Sequence, residues 1–116
     1  MVNVSGEIAF AGQPAQVSVP SDAKAHYFVL DVRKVGPNLI QMSSRREGPS
    51  GVSFAKREID CAKGQARYIS EGDTIEELAR LNPVSKMGPL IEGSISTVMS
   101  RAGCRIAGVE LRGVEQ

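Results

Sequence analysis

Polar and apolar residues alternate through much of the first two thirds of the chain, which is the pattern of strands with one buried face. The strongest such segment is residues 26–32, HYFVLDV, which is rich in β-branched and aromatic side chains. Side chains two residues apart share a face of a strand, so Phe28, Leu30 and Val32 are predicted to form the buried side. The pattern therefore predicts a central strand here.

Further strand segments are separated by short turns rich in glycine, proline and asparagine. They lie at residues 7–10, 16–19, 39–43, 52–61 and 66–70. The first two flank Gly12-Gln13-Pro14, which predicts a hairpin between them. Because every connection is short, the sequence predicts an antiparallel meander of five to six strands.

Helix signals are concentrated after residue 73. Thr74 and Glu77 have the spacing of a capping box, and Pro83 is expected to end this short helix early. Ser94 is predicted to be the N-cap of a second helix that ends at Gly103. The apolar stripe of that helix consists of Ile95, Val98, Met99 and Ala102. Such a stripe needs an apolar partner, and the predicted sheet is the one large apolar surface to cover it.

The predicted fold class is therefore α+β, an antiparallel meander with the C-terminal helix packed on one face. The length suits a single domain over residues 1–116, without a repeat or a linker. The tail, residues 109–114, is expected either to add an edge strand or to hang free. An open antiparallel sheet leaves an edge that can pair with a second copy, so a homodimer through a sheet edge is a further hypothesis.

Composition narrows the classes of partner. There are 14 Lys and Arg against 13 Asp and Glu, a net charge of +1, which argues against nucleic-acid binding and against DNA mimicry. Apolar runs are only a few residues long, so no membrane span is predicted. One His and two Cys do not supply a zinc site, and no glycine loop has the context of a phosphate loop. We therefore expect no metal, no cofactor and a protein as the partner.

Two interpretations of Cys61 and Cys104 follow from their number alone. They are either unrelated buried thiols of a cytosolic protein or a disulfide formed in an oxidising compartment. A disulfide would contribute roughly 4 kcal/mol by restricting the unfolded chain. Residues 1–20 have neither the basic nor the apolar region of a secretory signal. The expected location is the periplasm or cell surface if a signal was removed, and the cytoplasm if Met1 is the native start.

Few side chains are candidates for catalysis. His26 is the sole candidate general base, and no Gly-x-Ser-x-Gly elbow accompanies it. Glu58 and Asp60 share a face of a predicted strand and so could bind a cation, but a solvent-facing pair with Ile59 pointing inward explains them more simply. No catalytic residue is predicted, and the chain is interpreted as non-enzymatic.

Two pairs of cations flank the predicted turn at residues 48–51, and they are Arg45, Arg46, Lys56 and Arg57. Since adjacent strands would bring the two pairs together, they form a candidate binding patch for an acidic protein, a glycan sulfate or a phosphate. The alternative is a solvated strand face on which Glu47 and Glu58 pair with these cations.

Several segments occur in a characteristic order: SRREGPSGVSF at 44–54, REIDC at 57–61, RYI at 67–69, EGDT at 71–74, and GSI at 93–95 ahead of Cys104. Over residues 26–105 this order resembles the small proteobacterial proteins related to surface-adhesin protein E. The resemblance implies an antiparallel sheet with a C-terminal helix on its concave face, tethered by a disulfide between Cys61 and Cys104. It also implies adhesion by an often dimeric surface protein, although no binding residue can be transferred by position.

Two functional hypotheses follow. The first is a non-enzymatic protein-binding module, exported to the cell envelope or surface and resembling adhesin E. The second takes Met1 as the native start and describes a small cytosolic inhibitor, phage- or plasmid-borne, that docks on a bacterial defence complex.

Overall fold

The computed structural model describes residues 7–9, 14–81 and 86–116. Within these ranges the strands are β1 Glu7–Ala9, β2 Ala15–Val17, β3 His26–Lys34, β4 Leu39–Gly48, β5 Gly51–Asp60, β6 Gln65–Gly72 and β7 Gly88–Pro89. The same ranges contain the α-helix α1, Ile95–Ile106, and two short 3-10 helices, Pro20–Asp22 and Ile75–Ala79. No helix in the described residues is long and apolar enough to cross a membrane.

Strands β3 to β6 form the predicted meander, each pairing antiparallel with the next. The turns are as short as expected: Gly48 pairs with Gly51 across a two-residue loop, and Asp60 Oδ1 accepts the amide hydrogens of Ala62 and Lys63 at 3.1 and 3.0 Å. With β1 and β2 on one side of β3 and a single C-terminal helix in the described residues, the predicted α+β class is confirmed.

The predicted N-terminal hairpin is wrong. Both short strands pair with β3, β1 through Glu7 opposite Arg33 and β2 through Ala15 opposite Val29. They therefore follow one another along a single edge of β3 instead of facing each other. Because β3 is nine residues long, it has enough backbone hydrogen-bonding groups along one edge to pair with both short strands. Gly12 and Gln13 of the predicted turn lie outside the described residues.

The predicted buried face of β3 is right at Val32 and wrong at Phe28 and Leu30. Tyr27, Val29 and Val32 are the buried residues of β3. Leu30 has no paired residue in β4, because Val29 pairs with Ser44 and Asp31 with the adjacent Ser43. A bulge adds one residue to the strand and so reverses the alternation on either side of it. The side chains of Phe28 and Leu30 are half-buried as a result.

Helix α1 crosses β2, β3 and β4 and covers the apolar face of the sheet. Ser94 caps it as predicted, its Oγ accepting the Thr97 amide hydrogen at 3.1 Å. The predicted end at Gly103 is wrong, because the helix continues to Ile106. Gly103 instead lets the helix approach the sheet, since a Cβ there would lie 2.6 Å from Met42 Sδ.

A disulfide joins Cys61, directly after β5, to Cys104 in α1, with the two Cα atoms 6.0 Å apart. Both cysteines are fully buried in the core between the helix and the sheet. This bridge confirms the predicted disulfide between Cys61 and Cys104. It holds α1 to the end of β5, a central strand of the sheet. The radius of gyration of 13.3 Å is that of a single compact domain of this length.

The C-terminal tail neither forms an edge strand of the main sheet nor hangs free. The Arg112 amide donates to the Cys61 carbonyl at 2.8 Å, and the Glu115 amide donates to the Leu90 carbonyl at 2.9 Å. Leu111 is buried in the core. These bonds fasten the tail beside the disulfide and the start of β6.

Candidate binding cleft

The strand register divides the four predicted patch cations between the two faces of the sheet. Arg57 pairs with Met42, a core residue beneath α1, so it lies on the helix-bearing face. Arg46, four residues further along β4 than Met42, lies on the same face. Arg45 and Lys56, one residue displaced from these, lie on the opposite face. The candidate patch therefore separates into two pairs.

On the face away from the helix, Arg45 is engaged with its neighbours. Its Nε lies 3.0 Å from Glu47 Oε2, and its guanidinium lies over the Phe28 ring, 4.6 Å from the centroid. These contacts match the alternative interpretation, in which the cations lie on a strand face and pair with neighbouring glutamates. The half-buried Lys56 shares this face.

The helix-bearing face contains an open cleft of about 430 Å³. Since α1 covers β2, β3 and β4, the part of this face on β5 and β6 beyond the start of the helix stays uncovered. The polar and aromatic residues of the cleft lining are Tyr27, Ser44, Arg46, Ser53, Phe54, Arg57, Tyr68, Glu71 and Asp73. Ile95, the first residue of α1, also lines it. The cleft thus brings together the two cations of the helix-bearing face.

Arg46 is neutralised on one wall of the cleft. Its Nε donates to Asp22 Oδ2 at 2.9 Å and to Tyr27 Oη at 3.1 Å, and the Tyr27 hydroxyl donates to the same Asp22 oxygen at 2.7 Å. The hydrogen bond from Arg46, followed by that from Tyr27, lowers the pKa of the Asp22 carboxyl. Burial, followed by the bond to Asp22, raises the pKa of Tyr27. This triad holds Arg46 in place with its charge balanced.

We expect the Asp22 pKa to lie below its ordinary value of 3.8 and to return toward it in Arg46→Gln. A carboxyl group whose pKa is lower in the folded than in the unfolded state stabilises the fold at pH values above its unfolded-state pKa. This stabilisation is lost as the pH falls through the folded-state pKa. Carboxyl ¹³C NMR titration measures the value, and Arg45→Gln, on the opposite face, serves as the control. An Asp22 pKa that is equal in wild type and Arg46→Gln would contradict Arg46 as the main cause of the lowered value.

Arg57 differs from Arg46 because no carboxylate of the described residues pairs with it. It is only 4% exposed, and its hydrogen bonds go to three hydroxyls: Ser44 Oγ at 2.9 Å, Tyr68 Oη at 3.1 Å and, long, Ser96 Oγ at 3.5 Å. Its guanidinium also lies 4.8 Å from the centroid of the Tyr68 ring. A buried cation is therefore held by neutral partners at the wall of an open cleft.

Carboxylates also line this cleft. Glu71 lies on β6 and Asp73 directly after it, and both are exposed. The charged lining thus contains two arginines and two acidic residues, and Arg46 already has Asp22 as its partner. The cleft is a surface of mixed charge and not a uniformly basic groove.

The side chains considered for catalysis have other contacts. His26 is exposed, with Nδ1 3.3 Å from Gln16 Nε2. Glu58 accepts from Arg67 Nη2 at 2.7 Å, while Asp60 caps the turn after β5. In the part of the chain that the structure describes, no group of three or more His, Cys, Asp or Glu side chains could hold a metal ion.

Sequence reasoning missed most of the cleft lining. Tyr27, Tyr68 and Glu71 are far apart in the chain, and only the pairing of β3 to β6 brings them to one face. The two aromatic residues were visible in their strands, but their common face depends on the bulges in β3 and β6. No local sequence signal reports where a bulge falls.

No family model, curated protein or solved structure matches this chain. The resemblance to surface-adhesin protein E therefore stays a prediction. What the fold and the cleft define is a small disulfide-bonded α+β domain with a polar, aromatic cleft beside its helix.

Proposed function

We propose that this protein is a non-enzymatic, exported protein-binding module that receives its partner in the cleft beside α1. The observation that carries the proposal is Arg57, a nearly buried guanidinium that has hydroxyl partners but no described carboxylate and that borders an open cleft. Burying a charge without an opposite charge is costly, so a partner that supplies the opposite charge would offset that cost.

The composition of the cleft supports a protein partner. Tyrosine and arginine are among the residues enriched in protein interfaces, and a tyrosine ring contributes contact area at little cost in conformational entropy. Tyr68 is 39% exposed although its hydroxyl is bonded to Arg57. Strands of the sheet already hold these side chains, so little conformational entropy is lost when a partner binds.

The disulfide supports the exported part of the proposal. Disulfides persist in oxidising compartments and are rare in the bacterial cytosol. Cys61 and Cys104 are bridged in the core, in the arrangement that the resemblance to adhesin E implies. The proposed location is therefore the periplasm or the cell surface.

A photo-crosslinking amino acid tests the proposal in the native cells. It is placed at Ser53, an exposed residue of the cleft lining, and in the control at Val52, which neighbours it on the opposite face of β5. We expect a discrete adduct from Ser53 but not from Val52. The purified adduct partner should then bind the wild type and lose affinity for Tyr68→Ala.

The outcomes separate the hypotheses. Equal adducts from the two positions, or a partner whose binding ignores Tyr68→Ala, would overturn the cleft as the binding surface. A cytosolic defence protein as the partner would overturn export and favour the inhibitor hypothesis. A homodimer through a sheet edge stays a prediction, which light scattering of the oxidised protein tests.

A further inference from the structure

We propose that the ligand group of the cleft is a carboxylate, supplied by an acidic side chain of an extended segment of the partner protein, and that Arg57 is the residue that binds it. This inference rests on the proposed function, because it names the chemistry of the partner at that surface. Three observations carry it: the missing counter-charge of Arg57, the mixed charge of the cleft, and the aromatic wall.

The charge of Arg57 is incompletely compensated. A guanidinium has five N–H donors, and three of them have the hydroxyl acceptors Ser44, Tyr68 and Ser96. Hydroxyl groups accept hydrogen bonds but do not cancel a positive charge, so the desolvation penalty of the buried cation is only partly offset. A carboxylate that enters the cleft would supply both further acceptors and the opposite charge.

The other charges of the cleft oppose a ligand that carries several negative charges. Glu71 and Asp73 line the same space, and Asp22 neutralises Arg46 on the neighbouring wall. A phosphate or a sulfated chain brings two or more negative charges near these carboxylates, where like charges repel. A carboxylate brings one, so it meets less repulsion, and it matches Arg57, the one cation of the cleft lining that has no carboxylate partner among the described residues.

The walls beside Arg57 suit a peptide segment. The Tyr68 ring lies against the guanidinium and is partly exposed, which gives apolar contact area directly next to the anion site. Ile95 adds an apolar side chain at the first residue of α1, so the positive end of the helix dipole borders the same cleft. Glu71 and Asp73 can then accept amide or cationic donors that flank the acidic residue.

The test is an NMR titration of the oxidised full chain with matched peptides. The probes are N-acetyl-Gly-Glu-Gly-amide, its glutamine counterpart and inorganic phosphate. We expect the glutamate peptide alone to shift the Arg57 Nε–Hε and Tyr68 ring resonances saturably. Arg57→Gln should weaken its binding at least about tenfold, the size of one charge-assisted hydrogen bond.

Matched variants keep the result interpretable. Arg45→Gln removes the same charge from the opposite face of the sheet and should bind the glutamate peptide like the wild type. If Arg57→Gln does not fold, Arg57→Lys retains the charge but loses the planar fork, and it should still bind more weakly than the wild type.

Several results would overturn the inference. These are equal shifts from the two peptides, tighter binding of phosphate than of the glutamate peptide, no saturable shift, and equal weakening by Arg45→Gln. Each can occur while Ser53 still crosslinks a partner whose binding needs Tyr68. In that case the binding module stands and only the carboxylate chemistry fails.

Discussion

Replacing Cys61 and Cys104 together by alanine is expected to lower the free energy of unfolding by about 4 kcal/mol. The bridge closes a loop with a sequence separation of 43, and cutting it lets the unfolded chain expand. The expected loss is a large part of the roughly 5–15 kcal/mol that stabilises a domain of this size. It corresponds to a decrease in Tm of about 15 °C.

Urea unfolding followed by circular dichroism measures this effect, with the oxidised wild type as the reference. Reduced wild type should resemble the double variant, and both should show a steeper urea dependence because their unfolded chains expose more surface. Reductant should leave the double variant unchanged, which is the control. A difference of less than about 1 kcal/mol between oxidised and reduced wild type would contradict the expected contribution.

Gly64→Ala is expected to cost about 3 kcal/mol, from two separate causes. The residue has φ of +64°, which disfavours any side chain. In addition, its Cβ would lie 2.5 Å from the Gly113 carbonyl carbon and 2.6 Å from the Arg112 oxygen. Because these are backbone atoms of the docked tail, the tail has to move away from the end of β5.

Gly108→Ala separates the two causes. Gly108 has φ of +81°, but nothing lies within 4 Å of its Cβ position, so its replacement is expected to cost only about 1 kcal/mol. Hydrogen exchange gives a second measurement. The Arg112 and Glu115 amides, bonded to the Cys61 and Leu90 carbonyls, should exchange faster in Gly64→Ala and unchanged in Gly108→Ala. Equal costs and equal exchange would contradict a role for Gly64 in docking the tail.

Much of the local structure could be predicted because it depends on residues close in the chain. The strand at residues 26–32, the turn at residues 48–51 and the Ser94 cap all depend on residues within a few positions of one another. Glu77, as expected, accepts the Thr74 amide hydrogen at 3.1 Å, although the helix it caps is 3-10. Gly103 shows the limit of such reasoning. Its role depends on Met42, a residue on another element.

The division of the candidate patch between two faces has a similar cause. Adjacent cations such as Arg45 and Arg46 look like one cluster in a linear sequence, yet neighbours along a strand point to opposite faces. Which face α1 covers decides which pair borders the cleft. The charge balance also depends on the fold, because Asp22 neutralises Arg46 while the hydrogen-bond acceptors of Arg57 in the described residues are hydroxyls.

By itself, the sequence determined the fold class, the meander with its short turns, the start of the C-terminal helix and the scarcity of catalytic side chains. Short-range propensities and the spacing of apolar residues carry that information. Only the tertiary structure decided that β1 and β2 share one edge, that the tail docks beside Gly64, and that Arg57 lies buried next to an open cleft. These features arise from strand register, bulges and the contact between helix and sheet. Each depends on residues distant in the chain, whose packing no local pattern records.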